Sequence, residues 1–147
     1  MGRNLLAIIL ATIAFSLWGF IWYATVFDDV WQSLIARSES ELIDMAVARG
    51  QWQNFFVIFI SLVQAFGIFA VLRLTRAKTF LHHIGVSILL STLIVLPALG
   101  NSTFFAGTPT RLLILDYGHF LCGYAGMAFV FFLIARPIKK ASENPEA

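Results

Sequence analysis

An acid and an imidazole one helical turn apart, Asp116 and His119, lie near the start of the last long apolar run of this 147-residue chain. Such a pair suits proton handling, ligand binding or a buried polar bond. An ionisable side chain within a membrane span costs about 2.5 to 3.5 kcal/mol on insertion scales, so it faces a bundle interior and marks a candidate site. Tyr23, Gln64 and Asn101 are the polar residues elsewhere in the chain that could join them, giving five candidate ligand-binding residues. A charge-relay reading would use Asp116 to orient His119 as a base, but its nucleophile would be Ser102 or Thr103 and no oxyanion device is legible. Cys122, three residues after His119, is expected in apolar surroundings that disfavour a thiolate. There is no CxxC, GxGxxG or phosphate loop.

Metal and haem readings fail on geometry. Adjacent His82 and His83 diverge on a helix and cannot both chelate one metal. His83 and His119 are expected at opposite ends of their spans, which rules out a shared haem. No cofactor is legible.

The elements that must hold these residues follow from composition. The chain is 59% hydrophobic and 12% charged, which excludes an ordinary soluble domain. Its net charge of +2 does not point to nucleic acid, because the bases sit at the ends of apolar runs and form no stripe with interleaved aromatics. Four runs have the length of spanning helices, about 5–27, 54–72, 80–105 and 112–135. The first is too long for a signal-peptide core and lacks a small-x-small cleavage site, so it reads as an uncleaved anchor. Pro97 predicts a bend in the third span.

Residues 28–53 carry seven charges and cannot cross a bilayer. Asp28 or Asp29 can cap one short helix holding Trp31, Leu34 and Ile35, and Ser38-Glu39-Ser40-Glu41 has capping-box spacing ahead of a second that Gly50 ends. Two amphipathic surface helices are expected there, as a hairpin between spans or a lid over the bundle mouth. Residues 141–147 read as a disordered tail after the Arg136, Lys139, Lys140 stop. The expected fold is thus a single antiparallel four-helix transmembrane domain, 1–140, all α.

Arg3, Arg73, Arg76, Lys78, Arg136, Lys139 and Lys140 put seven bases on one side, against Arg37, Arg49 and Arg111 on the other. Both termini are therefore expected in the cytoplasm and the chain in the cytoplasmic (inner) membrane, with 28–53 outside. Lines of small or polar residues predict the packing seams: Thr12, Ser16, Gly19, Tyr23; Ser61, Gln64, with Ala65; His83, Ser87, Ser91, Ile94, Ala98, Asn101; and Asp116, His119, Gly123, Gly126, Val130. These place Tyr23, Asn101, Asp116 and His119 near the outer surface, with Gln64 beneath.

Trp18-Gly19-Phe20-Ile21-Trp22-Tyr23 leading into Phe27 and Trp31, the four-span layout, and Asp116-Tyr117-Gly118 opening the last span resemble a family of small bacterial membrane proteins. That family is domain of unknown function 1761. Ala24 and Asp28 stand where its pattern has proline after Trp-Tyr and glycine after Phe. The resemblance implies a membrane protein and no assigned activity. The functional expectation is a binding or transport component for a small molecule, lipid or ion, in contact with the lipid bilayer. The alternatives are a structural or assembly subunit, working as a homo-oligomer or within a larger membrane complex, and a membrane enzyme using the Asp/His pair.

Overall fold

A computed structural model describes residues 2–35, 39–50 and 52–134. Ser38 of the capping box, the basic stop from Arg136 and the tail 141–147 lie outside the described residues. Among the described residues seven α-helices follow one another: α1 (Gly2–Ile21), α2 (Asp28–Ile35), α3 (Glu39–Arg49), α4 (Trp52–Leu74), α5 (Phe80–Leu90), α6 (Leu96–Ala106) and α7 (Thr110–Ile134). Two π-helical turns interrupt them, Trp22–Val26 after α1 and Ser91–Val95 between α5 and α6. Among the described residues four helical stretches are long and apolar enough to cross a membrane: Gly2–Val26, Trp52–Leu74, Phe80–Ala106 and Thr110–Ile134. The fold is an all-α membrane bundle.

Local chemistry explains the boundaries. Thr79 adopts an extended backbone and its hydroxyl accepts the His82 N–H, starting α5 with an N-cap. Gly107 takes the left-handed conformation, φ 71°, and its N–H returns to the Ser102 carbonyl, closing α6. Gly50, φ 55°, lets the chain turn from α3 into α4. Asp28 does not act as the expected cap. It lies within α2, where its carboxylate accepts from the Gln32 amide at 2.8 Å.

α7 packs most extensively on α1, and further contacts join α1 to α4 and α5 to α7. Lipid tails are as apolar as leucine, so burial of apolar surface does not drive helices together in a bilayer; close van der Waals packing does. Met127 and Ala128 are fully buried on α7, beside Phe131 at 1% exposure, and Ala7 and Ala11 are fully buried on α1. Arg3 donates to the Ile134 carbonyl at 2.8 Å, tying the start of the first span to the end of the last.

The third span is interrupted just ahead of Pro97, where the sequence predicts a bend. Proline lacks an N–H and its ring clashes with the carbonyl four residues earlier, here Leu93. The chain answers with a wider π turn just before Pro97, in which the Leu96 N–H bonds the Ser91 carbonyl. An extra residue in the turn rotates everything beyond it by about 100° relative to an uninterrupted α-helix. The inward line therefore continues from Ser87 and Ser91 to Val95, all buried, and then to half-buried Leu99 and Thr103. Ile94, Ala98 and Asn101, expected on the seam, are exposed.

Candidate functional site

His119 is the most buried of the five expected site residues, at 6% exposure. Its ring lies among aromatic neighbours: Tyr23 at 4.9 Å between centroids, Phe15 and Phe120 at 5.1 Å each, and Trp22 at 6.3 Å. Its backbone carbonyl accepts from the Trp18 indole at 3.1 Å. Gly19 completes the enclosure, since a Cβ there would stand 3.3 Å from His119 Nε2. Both ring nitrogens are buried without a hydrogen-bond partner among the described residues. An imidazole always presents at least one N–H, so the ring keeps unused hydrogen-bonding capacity inside the bundle.

Beside it, the Tyr23 hydroxyl donates to Asp116 Oδ1 at 2.8 Å. Asp116 thus bonds to the first span rather than to Arg111, which is exposed. Nor does it share a proton with His119, whose nitrogens are unpartnered. The next residue, Tyr117, forms a 2.8 Å hydroxyl–hydroxyl bond with Thr92. Adjacent residues on α7 therefore reach in two directions. Asp116 reaches Tyr23 in the first π turn and Tyr117 reaches Thr92 in the second. Single π turns inside α-helices are rare and recur at functional sites, because they free or re-aim groups that a regular helix would occupy.

The structure brings Tyr23, Asp116 and His119 together. Asn101 is exposed on α6, because the π turn shifts the phase of the helix, and Gln64 is half-buried on α4 with its Oε1 unpartnered among the described residues. Ser16 Oγ, Trp22 Nε1 and Ser91 Oγ are likewise buried without partners among the described residues. Cys122 is exposed on α7. Among the described residues no group of three or more His, Cys, Asp or Glu side chains is placed to hold a metal ion.

Sequence reasoning missed Phe15, Trp18, Phe120, Thr92 and Tyr117. Phe15 and Phe120 read as apolar filler of the span faces, Trp18 and Tyr117 only as part of the family resemblance, and Thr92 sits in the segment whose phase the π turn changes. The available signal was the four-residue spacing of Phe15 and Gly19 on α1, which faces both at α7. A Cβ at Gly123 would come within 2.4 Å of the Phe15 ring, and one at Gly118 within 3.2 Å of Trp22. Gly126 faces open space, so the α7 seam turns instead through Gly123 to Met127.

α2 lies over the site. The half-buried Trp31 ring meets Tyr23 edge-on at 5.9 Å, and Phe27 packs on Trp22 at 4.5 Å. A separate groove of about 650 Å³ lies at the joint of α3 and α4, lined by Arg49, Trp52, Gln53, Phe55, Phe56 and Phe59. It shares no residue with the Asp116 cluster.

No curated protein and no solved structure matches the chain. One family profile, described as a protein of unknown function, matches residues 6–132, from the first span to near the end of the fourth. The match covers both π turns, helix α2 and the Tyr23–Asp116–His119 cluster, and the chain accordingly belongs to the family DUF1761.

Proposed function

We propose that this integral membrane protein binds a small molecule or ion at Tyr23, Asp116 and His119, beneath a lid formed by α2. The observation that carries the reading is the unused hydrogen-bonding capacity of His119, buried at 6% exposure one turn from Asp116. Buried polar groups are nearly always paired, so an imidazole with neither nitrogen engaged has a reason to be there. Gln64, half-buried on α4, belongs to the same proposal as a deeper polar group along a route through the bundle. Asn101 lies off the inward face and takes a lesser place, at the outer mouth.

In this reading both termini are cytoplasmic, the membrane is the cytoplasmic one, and α2 and α3 lie on its outer surface. The support is the seven-to-three distribution of lysine and arginine. Binding at the outer side, with α2 opening and closing over Tyr23 through Trp31, fits an uptake or sensing component of a transport process.

A second reading has its own observation. The Trp18 indole bond to the His119 carbonyl and the tight Phe15–Gly123 approach are features that fix helix register. They would serve a structural subunit of a larger complex equally well. Native mass spectra of the protein released from lipid nanodiscs separate the two. Extra mass in defined stoichiometry, lost in Asp116→Asn and His119→Phe variants that still insert and fold, supports the binding site. A bare polypeptide mass for the wild type, with variants that misassemble, would overturn it in favour of the structural role.

A further inference from the structure

The groove at the α3–α4 joint is separate from the Asp116 cluster and has a polarity of its own. Its charged end is Arg49, the last residue of α3, with Gln53 close by in the first turn of α4. Its other walls are Trp52, Phe55, Phe56 and Phe59. Gly50 makes this arrangement, because its positive φ breaks α3 and leaves Arg49 at the corner where the surface helix meets the span. Among the described residues Arg49 has no ion pair. From Trp52 to Phe59 the helix descends about 10 Å, which takes the groove from headgroup depth into the hydrocarbon.

The four aromatic walls are between 59% and 81% exposed, so one side of the groove is open to whatever surrounds the span. A volume of about 650 Å³ falls in the range of ligand sites. A free anion would use the guanidinium and leave the three phenylalanines idle. An apolar ligand would leave Arg49 idle. Only an amphiphile with an anionic head and an acyl chain uses both ends at the depths where they stand.

We infer that this groove binds one phospholipid, its phosphate on Arg49 and an acyl chain along Phe55, Phe56 and Phe59, with preference for a net-anionic headgroup. A guanidinium takes phosphate oxygens through paired hydrogen bonds, and Gln53 can add an amide donor. Such a lipid would bridge α3 to α4 and hold the surface helix against the bundle.

The test is lipid retention in native mass spectra, using nanodiscs of phosphatidylglycerol and phosphatidylcholine in equal parts. Wild-type protein should retain one phosphatidylglycerol with a preference on the order of fivefold, the effect of one basic residue on anionic lipid. Arg49→Gln should lower that preference to about one, and Phe56→Ala with Phe59→Ala should shorten retention of both lipids. Arg49 is exposed, so its replacement leaves the packed spans intact, which circular dichroism checks. Equal retention of the two lipids by wild type, or unchanged selectivity in Arg49→Gln, overturns the inference. So does full displacement of the lipid by millimolar inorganic phosphate, which would make the site a plain anion site. Persistence of the preference in Asp116→Asn is expected, because the two sites share no residue.

Discussion

Gly123→Ala is the substitution whose outcome the structure fixes most tightly. The new Cβ would stand 2.4 Å and 2.6 Å from Cε2 and Cδ2 of Phe15 and 3.1 Å from Cδ1 of Trp18. Real Cβ contacts do not occur below about 3.0 Å, so something must move. The Phe15 ring has little freedom to do so. It is 6% exposed and held against His119, Phe120 and Tyr124 at 5.1 to 6.0 Å. Trp18 is fixed by its bond to the His119 carbonyl. The relief must come from α1 moving off α7, which is overpacking of a filled interface and costs about 1 to 3 kcal/mol. Gly126→Ala is the matched control, since a Cβ there meets nothing within 4 Å. It carries only the helix-propensity gain of alanine over glycine, up to about 1 kcal/mol stabilising. That gain is common to both substitutions and cancels between them, so equilibrium unfolding in mixed micelles, read by circular dichroism, should separate the two variants by about 1 to 3 kcal/mol, with Gly123→Ala the less stable. Equal stabilities would refute the α1–α7 packing on which the Tyr23–Asp116–His119 cluster depends.

Tyr23→Phe removes the donor to Asp116 and should destabilise by about 0.6 kcal/mol, with about 1.7 as the upper end for such bonds in a membrane protein, measured in the same unfolding assay. Thr92→Val deletes the bond to Tyr117 at nearly constant volume and should cost a similar amount. The double variant should be additive if the two bonds act independently on either side of α7, and a coupling above about 0.5 kcal/mol would show that they form one unit. Gly118→Ala brings a Cβ to 3.2 Å from the Trp22 ring and should shift tryptophan emission, whereas Gly67→Ala, with nothing within 4 Å, should not. Gly19→Ala crowds His119 Nε2 at 3.3 Å; it should alter the His119 ring resonances in NMR spectra while leaving those of His82 unchanged.

The segments long and apolar enough to span, the two short helices between the first and second of them, and the polar pair near the start of the last are properties of local sequence. Hydropathy is summed over a window, so four apolar runs give four spans wherever they pack. Caps act within one turn, which is why Gly50 ends α3 as its position implies. Depth follows from rise per residue, and it placed Tyr23 level with Asp116 before any contact was known. The lines of small and polar residues gave most of the inward faces, burying Thr12, Ser61, Ser87, Ser91, His119 and Gly123, and tertiary structure decided where the inward face departs from them. That choice depends on phase accumulated along the whole helix, and one π turn ahead of Pro97 moved Asn101 to the outside and brought Val95 to the interior. It also decided between two glycines one turn apart, because only Gly123 meets a ring from α1. The enclosure of His119 by Phe15, Trp18, Trp22 and Phe120 was illegible for the same reason: aromatic residues in a span look alike until a neighbouring helix selects those it will touch.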